Sequence, residues 1–145
     1  MRAQSNFNFT RETSPGVYDT SWRLNAALPF SNGSIYIAHA NATGGKIVKS
    51  FSGRYGDIVN KPVLWTYVRN GSTAKAYLDG TLEHSVGTLN SNFKPGDVGR
   101  FTLGNGFNTS QFANMKFYGL FLFKRALSDT DLFKMNTYLM NKFKI

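Results

Sequence analysis

The stretch Tyr67–Leu82, YVRNGSTAKAYLDGTL, holds two turn dipeptides, Asn70-Gly71 and Asp79-Gly80, with alternating residues between them. Asn-Gly and Asp-Gly supply the positive-φ residues that tight hairpin turns demand. The spacing predicts an antiparallel meander with strands near 63–69, 73–79 and 81–87. Period-2 alternation is expected to line one face with Trp65, Tyr67, Ala74 or Ala76, Leu78 and Leu82. No residue here has an evident catalytic role. The stretch reads as scaffold that sets register.

The same rhythm extends to both sides. Ser31-Asn32-Gly33 precedes SIYIAHA, Thr43-Gly44-Gly45 precedes KIVKSF, and Asn60-Lys61-Pro62 precedes VLWTYV. Lys94-Pro95-Gly96 leads to VGRFTLG, and the strand-like MKFYGLFLF follows. Short apolar runs separated by turn signals are the pattern of a β-sandwich or barrel. No βαβ rhythm appears, which argues against a parallel sheet. Residues 1–20 are polar, carry Pro15-Gly16 and show no helical period. They are expected to form an N-terminal arm or an irregular first strand.

The period changes at the C-terminus, in LSDTDLFKMNTYLMNKFKI. Ser128 is placed as an N-cap, and Asp131 completes a Ser-x-x-Asp variant of the capping box. Leu127 and Leu132 occupy the two positions of a hydrophobic staple. Asp129 and Asp131 complement the positive end of the helix dipole, and Lys142 and Lys144 the negative end. Leu132, Met135, Leu139 and Phe143 share one face, with Asn136 and Met140 beside it. These signs predict a core-facing helix over 128–143.

The 145-residue length fits one domain with a sizeable core, and 41% hydrophobic with 15% aromatic residues argues for a folded chain. The net charge of +9 suits an acidic partner: nucleic acid, an anionic surface glycan or an acidic protein face. Arg2, Arg11, Arg23, Lys46, Lys49, Arg54, Lys61, Arg69 and Lys75 are scattered singly, which argues against nucleic acid. The chain has no cysteine, so disulfides and thiolate metal sites are excluded, and two histidines make a histidine-rich metal site improbable. MRAQSNFNFT has no apolar run, so no signal peptide is expected, and no segment reaches the ~20 apolar residues of a membrane helix. Asn41-Ala42-Thr43 and Asn108-Thr109-Ser110 fit the glycosylation tripeptide, a pattern that arises by chance in an Asn- and Thr-rich chain.

In order along the chain come LWTYVRNGS, AYLDGTL, FTLGNG and FYGLFLFKRALSDTDL. This series resembles laminin-G-like, concanavalin A-like lectin-glucanase jelly rolls. SWRLNAALPFSNGSIYIAHAN is similar to a strand pair of that group, and MNTYLMNKFKI to tails seen after such domains in bacterial and bacteriophage surface proteins. The resemblance covers residues 21–145 and implies an all-β, antiparallel jelly-roll β-sandwich with a short C-terminal α-helix. Domains of this kind usually carry further strands before the WRLN segment. Fewer strands would leave a sheet edge for another chain to cover, which implies a homo-oligomer or docking on a larger assembly.

Such folds host glycanases, which need two carboxylates about 5 to 9.5 Å apart. Glu12 and Glu83 are the sole glutamates and lie far apart, and Asp129 with Asp131 is explained by the helix start. A hydrolytic triad is disfavoured: His39 and His84 fall in strand-like segments, and no Gly-x-Ser-x-Gly elbow is present. GNGFNT, at 104–109, lacks the third glycine and the helix of a dinucleotide loop. The expectation is therefore no enzyme. Calcium is the one cofactor in question, through loop residues Asp57, Asn60, Asp97, Asn105 and Asn108, although loop asparagine more often serves turn chemistry. Carbohydrate binding has the best case, because sugar rings stack on aromatics while polar side chains pair with hydroxyls. Tyr36, His39, Asn41, Arg54, Tyr55 and Asp57 combine these types around two loops, and Tyr55, flanked by glycines, is the expected exposed aromatic.

Together these readings imply a non-enzymatic binding module. The resemblance adds a bacteriophage virion component, a capsid decoration or tail-associated adhesin, at the virion or an extracellular surface. Its partners would be surface glycans or neighbouring virion proteins. A purely structural protein–protein module and a free bacterial carbohydrate-binding lectin are the competing readings.

Overall fold

A computed structural model describes residues 7–14, 17–27, 36–39, 61–87, 99–103 and 116–145 of the chain. The chain divides into two compact units, residues 1–59 with 90–117, and residues 60–89 with 118–145. Every strand pair in both is antiparallel.

The first unit holds β1 (Phe7–Ser14), β2 (Val17–Ala27) and β3 (Tyr36–His39). The second holds β4 (Trp65–Asn70), β5 (Thr73–Leu78) and β6 (Thr81–Val86). β7 (Gly99–Leu103) returns to the first unit, and α1 (Asp129–Phe143) belongs to the second.

In the first unit the strand order is β3-β2-β1-β7. β1 is therefore central, paired with β2 on one side and β7 on the other. Its register defines successive rungs across the sheet. Ile37, Ala26, Phe7 and Leu103 align on one rung, and Ala38, Asn25, Asn8 and Thr102 on the next. His39, Leu24, Phe9 and Phe101 follow, then Arg23, Thr10 and Arg100. Beyond Thr10 the β1–β2 register shifts, so that Arg11 stands opposite Asp19 and Glu12 opposite Tyr18.

In the second unit β4, β5 and β6 form the expected meander. The two turns solve the same problem differently. Asp79 and Gly80 both have positive φ, 48° and 76°, the signs of a type I′ turn. At the other turn Asn70 ends β4, paired with Thr73, and Gly71 at φ 55° is the first of the two central residues. That is the glycine position of a type II′ turn. Thr73 Oγ1 donates to the Asn70 carbonyl at 2.8 Å, and Arg69 Nε to the Gly71 carbonyl at 2.7 Å. Asp79 also ties the hairpin back to the start of β4. Its N–H donates to Leu64 O at 2.9 Å, and its Oδ1 accepts from Leu64 N–H at 2.7 Å.

Register corrects one expected face. Trp65 pairs with Leu78, Tyr67 with Ala76 and Arg69 with Ala74, so these residues share a face. Leu82 does not join them. A two-residue turn pairs Leu78 with Thr81, which sends Leu82 to the other face beside Tyr77, half-exposed. Counting by twos along the sequence fails across such a turn, because opposing residues have opposite parity. A register shift between Ala76 and Tyr77 then skips one position on β6 and places His84 opposite Ala76. The bulge keeps Glu83 from the rung where Ala76 is buried.

α1 covers the face that carries Thr66, Val68, Lys75 and Tyr77. Thr66 Oγ1 lies 2.9 Å from Asn136 Oδ1, and Lys75 Nζ 2.9 Å from Asp129 Oδ1. Leu132, Asn136 and Leu139, spaced by four and three, are the buried residues of α1. Gly80 sits beneath it, where an added Cβ would lie 3.4 Å from Met140 Sδ. The opposite face of the sheet carries Ala74, Ala76 and Leu78, all buried. Trp65 lies on that face, and among the described residues its buried Nε1–H has no hydrogen-bond partner.

The helix begins at Ser128 as its sequence predicts, with one difference in the cap. Ser128 Oγ accepts from Asp131 N–H at 3.1 Å and donates to Asp131 Oδ2 at 2.8 Å. Asp131 thus orients the cap hydroxyl, where the longer glutamate of a standard capping box reaches the backbone N–H. At the other end Lys144 takes the left-handed conformation, φ 56°, and Ile145 N–H donates to Met140 O at 3.0 Å.

The segment MKFYGLFLF is the second correction. Residues 116–123 carry neither strand nor helix, and Leu120, Phe121, Leu122 and Phe123 are exposed. Its high β-propensity reflects apolar and aromatic content. Leu120–Phe123 lacks the alternation that gives a strand one covered and one solvated face. The start of the run meets the end of α1, with the Tyr118 and Phe143 ring centroids 6.2 Å apart.

Candidate functional site

A polar cleft of about 270 Å³ opens where the β4–β5 turn meets the start of α1. Val68, Asn70, Thr73 and Lys75 form one wall, and Ala126, Leu127, Ser128 and Asp129 the other. The first wall is the helix-covered face of the hairpin near its turn, which is why every second residue of each strand contributes. The second is the N-terminal approach to the helix.

Lys75 spans the cleft. Its ammonium contacts both carboxylate oxygens of Asp129, at 2.9 and 3.0 Å. This hydrogen bond, with Coulombic help from Tyr77, raises the Lys75 pKa, and desolvation opposes the rise. The Asp129 side chain is 78% exposed, so the pair is a solvated clip between strand and helix. The cleft can donate and accept hydrogen bonds through Asn70, Thr73 and Ser128. It holds no paired carboxylates free for acid–base work. Asp129 is engaged by Lys75, and Asp131 by Ser128. Among the described residues no group of three or more His, Cys, Asp or Glu is placed to hold a metal ion.

Of the residues singled out for carbohydrate binding, the described residues include two, Tyr36 and His39. Tyr36 and His39 are the two ends of β3, opposite Ala27 and Leu24. Three positions apart on one strand, they belong to opposite faces of the sheet. Asn41, Arg54, Tyr55 and Asp57 lie outside the described residues. So do the calcium candidates Asp57, Asn60, Asp97, Asn105 and Asn108. The cleft residues escaped the sequence reading because they join segments more than fifty positions apart. Ser128 was legible as a cap, but nothing in the sequence paired Asp129 with Lys75.

Among the described residues no helix is long and apolar enough to cross a membrane. No protein-family model matches the chain, and no curated protein matches it. One solved structure is similar: an S-layer domain-containing protein (residues 221–444) from Clostridium thermocellum ATCC 27405, 16% identical, with a TM-score of 0.46. The likeness covers 93% of this chain and 63% of that one, so this chain spans less than two thirds of its length. At that identity and score it bears on neither fold assignment nor function.

Proposed function

We propose that the chain is a non-enzymatic binding module built as a concanavalin A-like jelly-roll sandwich. It acts as a bacteriophage virion component, a capsid decoration or tail-associated adhesin, that contacts surface glycan. The observation that carries this reading is how the aspartates of the second unit are used. Asp79 holds the start of β4, Asp129 clips the helix to the sheet, and Asp131 orients the cap. Carboxylates committed to architecture favour binding over hydrolysis, which needs a facing pair. The antiparallel ladders and the helix starting at LSDTDL are consistent with the jelly-roll resemblance. The virion setting rests on that resemblance alone.

The test is a glycan array with the purified protein, with and without calcium. Binding in either condition is expected, and blank arrays in both would overturn the glycan reading. Loss of binding on chelation would favour a calcium-dependent lectin. Tyr55→Ala is expected to abolish binding, and unaltered binding would remove Tyr55 from the site.

A second reading, a purely structural module of an assembly, is favoured by a separate observation. On α1 Phe133 and Tyr138 are 71% and 57% exposed, and Leu120 to Phe123 are exposed as well, Leu122 at 68%. Apolar surface of this kind commonly marks a protein interface. Light scattering across a concentration series tests it, with self-association removed by Phe133→Ser and Leu122→Ser together as the supporting result.

A further inference from the structure

Residues 117–123 read FYGLFLF, and every one of them is exposed, as are Lys116 before them and Lys124 and Arg125 after them. Exposure at consecutive positions leaves no alternate set turned to a core. The setting is cationic. No Asp or Glu occurs between Asp97 and Asp129, and residues 116–145 carry six Lys or Arg against two carboxylates. Both carboxylates are engaged, Asp129 by Lys75 and Asp131 by Ser128.

Contacts within the second unit add a further cation. The Tyr118 ring stands 6.2 Å from the Phe143 ring, centroid to centroid. Lys142 Nζ lies 5.9 Å from the Phe143 centroid and 5.7 Å from that of Tyr138. Lys142 thus reaches the same ring that Tyr118 meets, while Lys124 and Arg125 follow the other end of the run.

Charge and pattern select the occupant. Antiparallel self-pairing of Phe117–Phe123 would set Lys116 of one copy opposite Lys124 of the other, and like charges in that position are destabilising. Single-stranded nucleic acid takes cations interleaved with stacking rings. Here the cations bracket the run, and Leu120 and Leu122 within it offer no ring to stack on. The boundary layer of an acidic bilayer matches all of these features. Leucine and aromatic side chains enter it, and lysine and arginine lay their stems along it with their charges at the level of the anionic headgroups. A run of this length is far short of the ~20 residues that span a membrane, so it lies on the surface.

We propose that Tyr118–Phe123, with Lys124, Arg125 and Lys142, docks the protein on the surface of a bilayer that carries acidic lipid. The proposal concerns residues other than those of the glycan reading and stands independently of it.

The test is co-sedimentation of the full chain with vesicles of phosphatidylcholine alone and of equimolar phosphatidylcholine and phosphatidylserine, with oligo-dT as competitor. Strong binding is expected on the mixed vesicles alone. Phe121→Ser with Leu122→Ser, both at exposed positions, should weaken it about tenfold or more. Lys124→Gln with Arg125→Gln should weaken it about twentyfold, at about fivefold per cation, and carries the test should the serine pair not fold. Lys46→Gln with Lys61→Gln, an equal charge change elsewhere in the sequence, should leave it within about twofold. Equal losses in the two charge variants would overturn the site in favour of net charge. Undiminished binding by a folded serine pair would overturn apolar docking, and displacement of the vesicles by oligo-dT would overturn the choice of a lipid surface. Absence of vesicle binding, with self-association that the serine pair abolishes, would overturn it in favour of a protein interface.

Discussion

Asn136 is the buried polar residue of α1, 4% exposed, and Thr66 Oγ1 meets its Oδ1 at 2.9 Å across the helix–sheet interface. Asn136→Ala removes this bond, worth about 1 kcal/mol net in a typical case. It also strands a part-buried Thr66 hydroxyl, at a further cost of about 1 kcal/mol or more. The sum, roughly 2 kcal/mol, corresponds to a drop in Tm of about 4–8 °C for a chain of this size. Thr66→Val alone leaves the Asn136 amide unpaired and should cost a similar amount. Replacing both, Thr66→Val with Asn136→Leu, removes the polar pair together and should recover most of the loss, because matched apolar replacements of a hydrogen-bonded pair are near neutral. Urea unfolding of the four proteins gives the coupling energy directly. A coupling within about 0.3 kcal/mol of zero would refute the reasoning, since distant independent sites add to that precision.

Other outcomes follow from the same contacts. Gly80→Ala should destabilise by about 1–2 kcal/mol through its positive φ alone, since the added Cβ would make ordinary contact with Met140 Sδ at 3.4 Å; urea melts of parent and variant measure it. Ser128→Ala removes the helix cap and should cost about 1 kcal/mol, read by the same melts, whereas Thr130→Ala, one residue past the helix start, should change little. Lys75 has its pKa raised by Asp129. The stability it contributes is therefore fully present below its ordinary value of 10.5 and lost as pH rises through the higher folded value. The gap between parent and Lys75→Met should stay constant from neutral pH to about 9, close in more alkaline buffer, and shrink in high salt.

Local chemistry was readable in advance. Asp79 and Gly80 both take the positive φ that a turn dipeptide demands, whereas in Asn70-Gly71 the glycine alone does and Asn70 ends β4; the preference belongs to the residue, its place in the turn to pairing. Ser128 caps and Leu132 with Leu139 buries for the same reason, since a helix presents residues three and four apart on one side. The four strands β4 to β7 and α1 all fall where the turn signals and helix period put them. Leu82 shows where the method stops, because its face depends on the parity of a turn and on pairing with Tyr77.

The sequence by itself determined the antiparallel meander, its two turns and the capped C-terminal helix, all of which depend on neighbours within a few residues. Only tertiary structure decided that Lys75 meets Asp129, that Thr66 meets Asn136, and that Arg23 and Arg100 flank Thr10. Those residues lie far apart in the chain, and no local preference encodes which strand pairs with which. Their meeting is set by ladder register and by the helix face that seeks cover, energies that exist only once the chain has closed its long loops.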